Sequence, residues 1–184
     1  QFLHDFISLL DQKQYEKAYS LLNKEYIEDF EVTYEYFKAI YEYRGETSYE
    51  IVRTVEDTGK NIYRTRLYRG KESKEKGFYE EKTFTVFAGK DGYTIADRGI
   101  IKADEGSGKT WTYEGMEITE MKRILLDDGA LLIVRIRNIS GKDIVLSASM
   151  KTFCYINNEK EIYYHQLINS YPDDYTIPAN SYKT

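Results

Sequence analysis

Residues 103–110, Ala-Asp-Glu-Gly-Ser-Gly-Lys-Thr, come within one residue of a phosphate-binding loop, with Ala103 standing where the first glycine belongs. Such a loop works because backbone N–H groups wrap the phosphates and a helix starts directly after the lysine and hydroxyl residue, turning its positive end to the anion. Here Trp111 to Thr119 alternate and break at Gly115, the pattern of strand. Asp104 and Glu105 would add negative charge inside the cradle. Nucleotide binding is therefore not expected, and the segment reads as a linker. Cys154 is the one cysteine, so an internal disulfide is excluded; it lies in the apolar run 152–156, where a buried thiol is the expected state. His165, on the expected hairpin partner strand, is the local candidate base for it, but no third group is in place to orient the pair. Two histidines and one cysteine fall short of a zinc site, and no metal or cofactor is expected. His4 sits beside the apolar face of a helix, and Asp5, its neighbour in sequence, does not face it.

Other polar groups have local explanations. Asn138-Ile-Ser140 matches a glycosylation sequon, but the turn that follows explains the asparagine. Asp127-Asp128 and Asp173-Asp174 fall in turns, where aspartate bonds its own backbone, and no calcium-loop spacing extends from either. Tyrosine outnumbers phenylalanine 19 to 8. Rigid amphipathic rings suit a ligand surface, including one for sugars, but half-buried strand and helix faces are the favoured explanation.

Phe2, Leu3, Phe6, Ile7 and Leu10 recur at helical spacing and predict a helix ending near Asp11. Tyr15, Ala18, Tyr19 and Leu22 predict a second helix, and Tyr34, Phe37, Ile40 and Tyr41 a third that stops at Arg44-Gly45. From Tyr49 the period changes to two. Strands are expected over 49–55, 61–68, 78–88 and 93–97, with turns at Asp57–Lys60 and Lys90-Asp91-Gly92 and a charged loop over Lys71–Gly77. Helix is thus expected only before about Gly45. After the seam from Asp97 to Thr110 every segment reads as strand: 116–126, 130–138, 144–150, then Phe153–Ile156 paired with Ile162–His165 around Asn157–Lys160. The boundaries that follow are 1–103 for one domain, 104–110 for a linker and 111–184 for a second.

Charge and hydropathy narrow the class of partner. The net charge of −5 disfavours nucleic acid and anionic lipid as bulk electrostatic partners, and the mean hydropathy of −0.62 fits polar outer faces. No apolar run approaches the roughly 20 residues of a membrane helix. Attachment to a membrane is expected only through a removed or lipidated N-terminal leader.

The opening Phe2–Leu22, with its Lys-Gln-Tyr-Glu-Lys-Ala-Tyr core, resembles nuclear-transport-factor-2-like domains exported by Gram-positive bacteria, over about the first hundred residues. Val134–Ser140, a turn and Ile144–Leu146 resemble the immunoglobulin-like (telokin-like) domain of Gram-positive lipoproteins. These resemblances imply an α+β cone, three helices on a curved antiparallel sheet, followed by an all-β immunoglobulin-like sandwich that lacks its last strand. They imply a non-catalytic scaffold or interaction protein of the cell envelope, with a protein or cell-wall partner and a homodimer as a candidate assembly. The alternative is small-molecule binding or ketosteroid-isomerase-like chemistry in the cone, lined by Tyr34, Phe37, Tyr41, Tyr63 and Phe84.

Overall fold

A computed structural model describes residues 1–44, 47–145, 154–156, 162–164 and 176–183. The chain forms two compact units, Gln1–Asp104 with Ile124–Leu131, and Glu105–Arg123 with Leu132–Thr184.

In the first unit, α1 (Phe2–Asp11) buries Leu3, Phe6, Ile7 and Leu10, the stripe its spacing requires. It ends where Lys13 turns left-handed (φ 58°), with the N–H groups of Lys13 and Gln14 closing on the carbonyls of Leu10 and Leu9. α2 (Tyr15–Ser20) buries Tyr15 and Ala18. α3 (Lys24–Asp29) follows, capped by Asn23, whose side-chain oxygen accepts from the Tyr26 N–H at 3.0 Å. α4 (Tyr34–Arg44) starts beside Thr33, whose hydroxyl oxygen accepts from the Tyr36 N–H at 3.2 Å. Then come β1 (Thr47–Asp57), β2 (Lys60–Arg69), α5 (Gly70–Glu75), β3 (Glu80–Gly89) and β4 (Gly92–Ala96). The four strands form one antiparallel sheet in chain order. Thr54 and Phe84 both lie opposite Tyr63, and Asp57 meets Lys60 across a turn in which Gly59 takes φ 78°. Val52 is skipped as a bulge in β1. The free edge of β4 is covered by the chain at Leu21–Asn23, which exchanges backbone hydrogen bonds with Ile95 at 2.9 and 2.8 Å.

The three-helix cone is therefore not the architecture. Among the described residues strand makes up 49% and helix 25%, as five short helices and antiparallel sheets. Two helices carry no apolar repeat: α3 has only the adjacent Tyr26 and Ile27, and α5 has no large apolar residue. α3 is set by its asparagine cap. α5 occupies the stretch expected as a charged loop and places helix well beyond Gly45. Gly77 (φ 70°) ends it: the N–H groups of Gly77 and Phe78 close on the carbonyls of Lys74 and Ser73.

In the expected linker, β5 (Ile100–Glu105) extends as strand, only Gly106–Lys109 lack regular structure, and β6 (Thr110–Tyr113) begins at once. β7 (Met116–Leu126) and β8 (Gly129–Asn138) form the long hairpin predicted around Asp127-Asp128. β9 (Ile144–Val145) pairs with β12 (Thr176–Ile177), β10 (Cys154–Ile156) with β11 (Ile162–Tyr164), and β13 (Tyr182–Lys183) with β8. Met116, Ile136 and Ile177 form the core of the second unit, with Ile118, Val134 and Ile144 packed on it. Asn138, fully buried, ties this core together. Its amide donates to the carbonyls of Lys142 and Ile177, each at 2.8 Å, and its oxygen accepts from the N–H and hydroxyl of Ser140. A glycan has no access to an amide engaged in this way. The expected strand continuation through Leu146, Ala148 and Met150, the turn at Asn157–Lys160, the cap at Gly45, His165 and Asp173-Asp174 lie outside the described residues.

Candidate functional site

The helical spacing of Tyr34, Phe37 and Tyr41 turns them to one side of α4, and β2 and β3 bring Tyr63 opposite Phe84. Phe37, Tyr41 and Phe84 are buried, whereas Tyr34 and Tyr63 are half-buried. Phe6 of α1, which sequence reasoning placed in the core without a role here, is the hub. Its ring lies 6.4 Å from that of Phe37, 6.5 Å from Tyr41 and 6.1 Å from Phe84, the last two edge-on. Phe37 and Tyr41 meet at 4.8 Å. Tyr34 packs edge-on against Tyr19, whose hydroxyl donates to the Val32 carbonyl. Tyr63 makes none of these ring contacts.

Against the aromatic cluster sits a polar group that the sequence did not advertise. The Tyr41 hydroxyl donates to Asp97 Oδ2 at 2.5 Å, and Lys82 Nζ lies 2.5 Å from Oδ1, in ion-pair contact without hydrogen-bond alignment. The Lys82 and Asp97 side chains are 13% and 8% exposed, so both charges are held largely away from water. Lys82 Nζ also lies 5.3 Å from the Tyr41 ring centre and 5.8 Å from that of Phe84, within reach of the ring faces. One signal was available: Lys82 precedes Phe84 and Val86 by the strand period, and a lysine in register with inward apolar residues demands a buried carboxylate.

Chemically, a carboxylate between a phenol and an ammonium can hold a proton in place. To act as a general base, however, it must present a free lone pair to a substrate atom. Here Oδ2 accepts from Tyr41, Oδ1 is ion-paired with Lys82, and the Asp97 side chain is largely withdrawn from water.

On the outside of the same unit, an open cleft of about 450 Å³ is lined by Leu67, Arg69, Ser73, Phe78, Tyr79 and Glu80. The cap of α5 at Gly77 delivers Phe78 to its rim. Tyr79 is held by the Arg66 guanidinium, 4.6 Å above its ring, and by the edge of Tyr68 at 6.1 Å. The Tyr68 hydroxyl donates to Glu50 at 3.0 Å, and that carboxylate pushes the hydroxyl's pKa above the usual tyrosine value.

The near phosphate loop packs in the opposite sense to a nucleotide cradle. A strand, β6, begins at Thr110, where a nucleotide cradle would start its helix. A Cβ at Gly106 would meet the backbone of Glu120 and Met121 within 2.7 Å. The Ser107 hydroxyl donates to Glu120 at 2.7 Å, and this bond, with the Arg123 guanidinium, holds that carboxyl below its ordinary range. His4 is exposed, its ring nitrogen 3.2 Å from the Tyr49 hydroxyl. Among the described residues, no three His, Cys, Asp or Glu side chains cluster as a metal site, and no helix is long and apolar enough to cross a membrane.

No protein-family model, curated protein or solved structure matches the chain.

Proposed function

We propose that the chain is a non-catalytic interaction protein, whose interior polar group is structural and whose contacts with a partner are made on its surface. The observation that carries this reading is the enclosure of Asp97, hydrogen-bonded to Tyr41 through one oxygen, ion-paired with Lys82 at the other and largely withdrawn from water. The surface offers what the interior withholds: exposed rings at Tyr43, Phe78 and Tyr79 beside an open cleft. An extracytoplasmic place in a bacterial cell envelope, with a protein or cell-wall partner, is part of the proposal and is supported by the resemblances at Phe2–Leu22 and Val134–Leu146 alone.

The alternative, ketosteroid-isomerase-like chemistry around Tyr41 and Phe84, makes a different demand. It requires a ketone to reach Asp97 and exchange its α-protons. The test is to incubate the full chain with cyclic ketones in deuterated water and follow exchange by NMR. We expect no acceleration over buffer and no shift of the Phe6, Phe37 and Phe84 ring signals. Exchange that is lost in Asp97→Asn would overturn the reading.

A further inference from the structure

We infer that the cleft beside α5 binds an uncharged saccharide, with sugar rings stacked on Phe78 and Tyr79 and hydroxyl groups held by Arg69 and Glu80. The inference rests on the reading of the chain as an interaction protein and specifies what one surface of it recognises.

The lining dictates the ligand class. The volume of about 450 Å³ lies within the roughly 300–1,000 Å³ typical of small-ligand sites. Phe78 is 67% and Tyr79 46% exposed, so both residues are open to water at the mouth. The Tyr79 ring is held through Arg66 and Tyr68, and the backbone that carries Phe78 through its N–H bond to the Ser73 carbonyl at 2.8 Å. Rings held in advance lose little conformational freedom when a ligand lands on them.

Charge argues against an anion. Arg69 faces Glu80 at 3.6 Å, Arg64 faces Glu81 at 2.5 Å, and Arg66 lies 3.9 Å from the same Glu81. A phosphate or carboxylate would have to displace a carboxylate already present. A hydroxyl both donates and accepts, so a neighbouring guanidinium and carboxylate satisfy it together without surrendering their pairing. An extended peptide is the weaker fit. β2 and β3 pair with each other down to Leu67 opposite Glu80, so the strand backbone at the cleft is already engaged in its own ladder. A sugar ring needs only side chains, because its apolar C–H face suits an aromatic face and its rim of hydroxyls suits polar groups beside it.

The test titrates the isotope-labelled full chain with β-1,4-linked tetramers of glucose and of N-acetylglucosamine. A proline-rich decapeptide and inorganic phosphate serve as the contrasting probes. At least one tetramer should give saturable shifts at Phe78, Tyr79 and the Arg69 side chain. Phe78→Ala and Tyr79→Ala should each weaken binding by roughly tenfold or more, while Tyr79→Phe, which keeps the ring, stays within about twofold. All three variants should melt with the parent. The absence of shifts with both tetramers, or shifts unaltered by Phe78→Ala and Tyr79→Ala, refutes the saccharide site. Binding of the peptide or phosphate alone also refutes it, while leaving the interaction-protein reading standing. Hydrolysis of a bound tetramer would instead overturn that broader reading.

Discussion

Asp97 is worth more to this protein as a partner than as a source of net stability. Burying two charges costs several kcal/mol, which their attraction only roughly offsets, so the pair with Lys82 adds little overall. Removing one member is different, because the other stays buried and uncompensated. Lys82→Met and Asp97→Asn should each cost about 3–5 kcal/mol in denaturant unfolding. The double variant should cost less than the sum by about 1–3 kcal/mol. Additive losses would show that the two side chains do not meet in solution. Tyr26 provides a separate probe at high pH. Burial pushes its pKa up to about 12, with Arg98 opposing and Tyr36 adding to the shift. Between pH 10 and 12 the unfolded chain releases this proton while the folded chain keeps it, so stability falls as pH rises. The loss is on the order of 2–3 kcal/mol across that window. Tyr26→Phe should flatten this part of the stability profile, and an unchanged slope would mean that Tyr26 is not the group responsible.

Among the elements, those whose signal is periodic were readable in the sequence, and those whose signal is a single residue were not. α1 ends at Asp11 as its apolar spacing requires, and the turns at Asp57–Lys60 and Lys90–Gly92 join the strands expected on either side. α3 and α5 are as short as α2 but lack its apolar repeat, so a cap decides them. For α3 the cap is Asn23. Asn23→Ala removes the acceptor for the Tyr26 N–H and also the amide's bond to the Thr94 hydroxyl, and should cost about 1–2 kcal/mol in unfolding. Asn23→Asp, which keeps the cap but loses the amide donor, should recover part of that loss. For α5 the cap is Gly77, readable afterwards as a glycine closing a run of lysine and glutamate. The candidate site follows the same rule. Phe37, Tyr41 and Phe84 share apolar faces that periodicity reveals, and the structure brings them together around Phe6. Tyr63 stays apart because opposition to Phe84 across two strands does not bring its ring into the cluster. Asp97 was invisible as a partner because it lies at the end of a strand, where an aspartate ordinarily marks a turn.

At the scale of the whole molecule, the chain leaves the first unit at Asp104 and returns to it for Ile124–Leu131 before completing the second. The return has a physical cause. The tip of the β7–β8 hairpin carries Asp127, whose N–H donates to the Gly99 carbonyl at 2.8 Å and whose carboxylate accepts from the Thr83 hydroxyl at 2.5 Å. Gly99 leaves room for this contact, since a Cβ there would stand 2.2 Å from Asp127 Oδ1. Ile124, on the same returning segment, is fully buried. A fragment cut at residue 104 therefore keeps the helices and the four-stranded sheet but loses a buried side chain and both bonds to Asp127. It should fold with lower stability than the same residues show in the full chain, and the loss should concentrate in amide hydrogen exchange around Thr83 and Gly99. Gly99→Ala in the full chain should reproduce that local loss by pushing Asp127 away. The two perturbations test one contact by different routes. Protection at Thr83 and Gly99 that survives both would show that the first unit is complete without the hairpin tip.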